Sequence, residues 1–69
     1  MTRNDALKVI ILSMIEEFKF PPVMRDILKR FSQTTIDMYS YELSRLLWKM
    51  QDDGLIYMQS GYIFISPKS

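Results

Sequence analysis

Leu43-Ser44-Arg45-Leu46-Leu47-Trp48-Lys49-Met50-Gln51-Asp52-Asp53-Gly54 runs straight into Leu55-Ile56-Tyr57-Met58-Gln59-Ser60-Gly61-Tyr62-Ile63-Phe64-Ile65-Ser66. In the first half, Leu43, Leu46, Leu47 and Met50 recur at three- and four-residue steps, which is the apolar stripe of a helix. Gly54 marks its end, because glycine adopts the left-handed backbone that closes a helix at no steric cost. The second half is two short apolar runs around Ser60-Gly61, the signature of a two-residue β-hairpin. The predicted strands are Leu55–Gln59 and Tyr62–Ser66. Their register sets Met58 against Ile63 and Ile56 against Ile65 on one side, with Tyr57 and Phe64 meeting on the other.

The upstream sequence supplies two more helices. From Asn4 to Phe18, Leu7, Ile10, Ile11, Met14, Ile15 and Phe18 form one stripe. Thr2 or Asn4 can cap that helix, and Asp5 suits the positive end of its dipole. Val9 and Leu12 fall on the back of this helix and read as apolar side chains without a core partner. Pro21-Pro22 ends the first helix and opens the second, since proline is tolerated in a first helical turn. The second helix is expected over residues 22–31, with Met24, Ile27, Leu28 and Phe31 inward and an Asp26–Arg30 pair at helical spacing. Ser32 to Thr35 is the turn. The third helix, to Asp52, begins either near Ile36, capped by Thr34 or Thr35, or at Ser40 after a longer turn. In the first case Ile36 and Tyr39 extend the inner stripe. Pro67-Lys68-Ser69 reads as a frayed tail.

The chain has 69 residues, 48% hydrophobic, with a net charge of +1 and neither cysteine nor histidine. That length allows one domain, near the lower limit for a core without staples. Disulfides and thiolate sites are excluded, and the commonest metal ligand and general base is missing. Glu16-Glu17 and Asp52-Asp53 are the only adjacent carboxylates, and neighbours on a helix diverge by about 100°, so neither pair converges on a metal or substrate. No enzymatic activity, catalytic residue, metal or cofactor is expected. The amino terminus lacks a signal-peptide pattern, and the apolar run Val9–Leu12 is too short to span a membrane, so a cytoplasmic, membrane-free protein is expected.

Three helices and a hairpin, with Pro21-Pro22 before the second helix and Leu47-x-x-Met50-x-x-x-Gly54-Leu55-Ile56 closing the third, resemble winged helix-turn-helix repressor domains of the LexA amino-terminal and MarR type. The match spans about residues 5 to 65. The resemblance implies a mainly α, three-helix winged fold whose third helix enters the major groove of duplex DNA while the hairpin sits beside the backbone. Two departures stand out: the stretch between the second helix and Gly54 is several residues longer than in the LexA type, and the hairpin holds no Lys or Arg before Lys68.

Opposite Leu43 and Leu47, the third helix is expected to present Met38, Tyr41, Arg45, Trp48, Lys49 and Asp52. Arg45 has the forked donors for a guanine edge, Lys49 can neutralise a phosphate, and Tyr41 and Ser44 can hydrogen-bond to either. Arg25, Lys29 and Arg30 in the second helix are candidate phosphate clamps. Residues 22–50 carry five basic and three acidic side chains, a thin surplus. DNA affinity rises with each phosphate neutralised, so a homodimer, doubling the contacts, is expected. Candidate interface residues are Val9 and Leu12 on the first helix and Tyr57, Tyr62 and Phe64 on the hairpin; Phe64 is read as packing against the first helix. Weak basicity and exposed aromatics also admit a second reading, a winged-helix adaptor or inhibitor that binds protein instead of DNA.

Overall fold

A computed structural model describes residues 2–67; Lys68 and Ser69, within the tail read as frayed, lie outside them, as does Met1. Three helices, α1 (Arg3–Glu17), α2 (Met24–Ser32) and α3 (Ser40–Asp52), precede an antiparallel hairpin of β1 (Ile56–Gln59) and β2 (Tyr62–Ile65). This is the three-helix, winged layout.

The local rules account for most boundaries. Thr2 caps α1: its hydroxyl accepts the Asp5 N–H, and the Asp5 carboxylate accepts the Thr2 N–H in return. At the other end of the molecule, Gly54 has φ 79°. Around it the Leu55 N–H donates to the Met50 carbonyl at 2.9 Å and the Gly54 N–H to the Gln51 carbonyl at 3.0 Å, a Schellman motif closing α3. Ser60 and Gly61 both have positive φ, 55° and 84°, as a type I′ hairpin turn requires. The hairpin register is the expected one, with Ile56 opposite Ile65, Tyr57 opposite Phe64 and Met58 opposite Ile63.

Three expectations give way. The second helix does not begin at Pro22. Pro22 is buried ahead of α2, and its carbonyl accepts the Ile63 N–H at 2.8 Å while Val23 bridges Tyr62. The Pro22–Val23 segment thus lines the outer edge of β2, and a proline can do so because only its carbonyl is needed. Asp26 then does not reach for Arg30; its carboxylate takes the Val23 N–H at 3.0 Å and anchors the start of α2.

The third helix begins at Ser40, not Ile36. Thr34 caps no helix: its hydroxyl donates to the Phe31 carbonyl at 2.7 Å and accepts the Ile36 N–H at 3.1 Å, shaping the exit from α2. Residues 36–39 belong to no helix and alternate, with Ile36 and Met38 half-buried on the core and Asp37 and Tyr39, itself extended, exposed. A period of two lets both apolar side chains reach inward, whereas helical geometry would turn Met38 out. Met38 therefore leaves the outward face assigned to it, and Tyr39 leaves the inner stripe.

The third correction concerns the back of α1. Leu12 is half-buried against the core, not stranded, while Val9 is exposed. One core unites all elements: Leu7, Ile11, Met14 and Ile15 from α1, Ile27 and Phe31 from α2, Leu43, Leu46, Leu47 and Met50 from α3, and Ile56 and Ile63 from the hairpin. Each such side chain contributes about 1.5–3 kcal/mol on burial, and no polar or charged side chain is buried among the described residues. No helix among them is long and apolar enough to cross a membrane.

Candidate nucleic-acid interface

The core-facing stripe of α3 determines what the helix offers outward. With successive residues 100° apart, burial of Leu43, Leu46, Leu47 and Met50 sends Tyr41, Arg45, Trp48 and Asp52 to the opposite side. Tyr41 and Trp48 are 68% and 58% exposed. Lys49 lies on one flank of this face, exposed, and Ser44 on the other, half-buried. The Ser44 flank leads to the hairpin, where the Gln51 side-chain oxygen accepts the Met58 N–H at 3.1 Å. That bond ties the wing to the helix that would read a groove.

The ion pairs are distributed unevenly. Glu42 near the start of α3 pairs with Arg3, and Asp53 just past its end pairs with Lys8 at 3.3 Å, so α1 supplies the partners for two of the acids flanking α3. Arg30 binds both carboxylate oxygens of Glu17 at 2.9 Å, and its guanidinium carbon lies 5.6 Å from the centroid of the Phe18 ring. Its charge is thus already met by a carboxylate. Among the described residues, Arg25, Lys29, Arg45 and Lys49 make no ion pair. Surface pairs add little stability, but they decide where uncompensated charge remains. Among the described residues, unpaired cations remain on α2, on the outer side of α3 beside the unpaired Asp52, and at Lys19 between α1 and α2.

Two groups of site residues come together in space. Arg45, Lys49 and Tyr41 line a groove of about 490 Å³ with Tyr39, Asn4 and Lys8, between the first turns of α1 and the face of α3. Sequence reasoning missed Asn4, Lys8 and Tyr39: the first two belong to another helix, and Tyr39 faces outward only because α3 starts late. Arg25, with Met24 and Leu28, borders the wing tip at Gly61. The hairpin has no cation of its own among the described residues, and α2 places one next to its turn. Lys29 is exposed on α2.

The proposed interface residues divide differently. Tyr57 and Tyr62 are exposed, and the Tyr57 and Phe64 rings stack at 4.8 Å between centroids on the outer face of the hairpin. Phe64 does not join the core under α1 as expected; half-buried, it walls a shallow groove with Phe18, Phe20 and Pro21. Strand alternation explains this, because Ile63 and Ile65 occupy the opposite side. Val9 stands apart from this surface, beside Arg30, Gln33 and Thr34. Among the described residues no three acidic side chains gather as a metal site would need.

No family model, characterised protein or solved structure matches the chain.

Proposed function

We propose that this chain is a winged-helix DNA-binding regulator of transcription or replication, acting in the cytoplasm as a homodimer on duplex DNA. α3 enters the major groove, with Arg45 and Ser44 toward base edges and Lys49 and Tyr41 toward phosphates. Arg25 and Lys29 of α2 hold the backbone, and Arg25 serves the wing as well. Arg30, engaged by Glu17, contributes least. The observation that carries this reading is the segregation of charge: among the described residues Arg45 and Lys49 make no ion pair on the exposed side of α3, where Asp52 is the one unpaired acid, while Glu42 and Asp53 are engaged by α1. Four unpaired cations on α2 and α3 per protomer, among the described residues, are few for a DNA-binding module, and two protomers double them. A fluorescence-anisotropy titration with random duplex at low salt tests the reading. Binding in the micromolar range is expected; no change in anisotropy at high micromolar protein sinks it. Sedimentation tests the dimer, for which a mass of twice 8.2 kDa is expected.

A protein-interaction role has one specific observation in its favour. Tyr57, Tyr62 and Phe64 on the hairpin and Phe20, 75% exposed, give the wing side an aromatic surface, with Lys19 beside Phe20 and Phe64. Such side chains dominate protein interfaces. On this second reading the domain is an adaptor or inhibitor, and its binding barely responds to added salt.

A further inference from the structure

The α3 face is more aromatic than a duplex reader requires. Tyr39, Tyr41 and Trp48 expose 66%, 68% and 58% of their surface on one end and one side of the same helix. Arg45 is one helical turn from both Tyr41 and Trp48, four residues after the one and three before the other, so its position on the helix lies between theirs along the axis. At 1.5 Å per residue the Tyr41 and Trp48 positions are about 10 Å apart along the axis. Tyr39 and Tyr41 also wall the groove that holds Lys8, Arg45 and Lys49. A paired base in B-form DNA shows only its edge, so flat apolar rings gain little there. An unpaired base offers its whole π-face, and alternating rings and cations are how single strands are held without regard to sequence.

We propose that this face binds DNA strands with unpaired bases, stacking them on Tyr41 and Trp48, with Tyr39 at the groove mouth, while Arg45 and Lys49 take the adjoining phosphates. The proposal rests on the DNA-binding reading but changes its ligand from intact duplex to single-stranded or locally opened DNA, on which Tyr41 turns from phosphate to base and Arg45 from base edge to phosphate. Charge complementarity selects the occupant. The free cations stand among the rings, and Glu42 beside them is paired with Arg3. Asp52, exposed and unpaired among the described residues, closes the track at the far end of α3.

The only tryptophan of the chain is Trp48, so stacking on it reports directly as fluorescence quenching. The probes are a single strand of about twelve nucleotides, its blunt duplex, and a strand of the same length lacking bases, each at 50 mM salt. The expected result is quenching by the base-bearing strand and binding at least tenfold tighter than to the abasic strand. Tyr41→Ala should weaken the base-bearing strand about 5- to 150-fold without changing its salt slope, and Tyr41→Phe should restore it. Equal affinity for the abasic strand, or wild-type affinity in Tyr41→Ala, overturns the stacking proposal. Duplex binding without quenching also overturns it and leaves the DNA-binding reading standing. No binding of any of the three strands overturns both.

Discussion

Replacing Arg45 and Lys49 together with alanine tests the proposed interface most directly, because the ion-pair pattern sets the size of the effect. Arg25, Lys29, Arg45 and Lys49 are the cations left unpaired on α2 and α3. A protein that neutralises Z phosphates of duplex DNA loses affinity with a log–log salt slope of about −0.9Z. For one protomer on a duplex just long enough for it, four contacts give a slope of about −3.6, and affinity falls about 150-fold between 50 and 200 mM salt; a dimer on a full site doubles the slope. Removing two contacts brings the slope to about −1.8 and the fall to about 12-fold. If the two lines converge near 1 M salt, the variant binds about 60-fold more weakly at 0.1 M and about 20-fold more weakly at 0.2 M. Anisotropy titrations of a labelled duplex at four or five salt concentrations measure both lines. A cation inside a groove displaces counterions whether it meets a base edge or a phosphate, so both substitutions should register in the slope. Parallel lines for wild type and variant would refute the reasoning, since neither residue would then lie in the DNA field. The two side chains are exposed, so unchanged thermal unfolding should accompany the loss.

Further predictions concern the scaffold. Leu43 is fully buried, so Leu43→Ala should cost about 2–5 kcal/mol and lower Tm by at least about 8 °C in a domain of this size. Gln51→Ala removes the acceptor of the Met58 N–H; a loss of about 1 kcal/mol in urea unfolding is expected, and unchanged hydrogen exchange at Met58 would count against the bond. Ser60 has φ 55° in the hairpin turn, so Ser60→Asn, which tolerates that backbone better, should stabilise by about 0.5–1 kcal/mol. A Cβ at Gly61 would meet nothing within 4 Å, so the loss in Gly61→Ala, about 1–2 kcal/mol, would be purely conformational.

Much of this architecture was legible because it is written in short-range patterns. The stripe Leu43, Leu46, Leu47, Met50 and the Gly54 stop define the end of α3, and Ser60-Gly61 sets the hairpin register. The start of α3 was a different matter. Ile36-Asp37-Met38-Tyr39 has no strong propensity either way, and per-residue differences of tenths of a kcal/mol yield to packing. The alternation of Ile36 and Met38 is a sign of non-helical chain, but the apolar spacing of Ile36 and Tyr39 also continues into Leu43. The exposed site residues Tyr41, Arg45, Trp48 and Lys49 followed from the helical wheel alone.

What the sequence by itself determined is the set of elements, the closing turns and the outward side of α3, because each depends on residues within four or five positions of one another. Only the tertiary structure decided which cations stay free. Arg30 took Glu17, 13 residues away, over Asp26, and Lys8 took Asp53 across 45 residues. It also set Pro22–Val23 along β2 and brought Lys8 and Tyr39 into the groove with Arg45. Such partners are chosen by the docking of α1 on the core, which brings together residues far apart in the chain that no local periodicity relates.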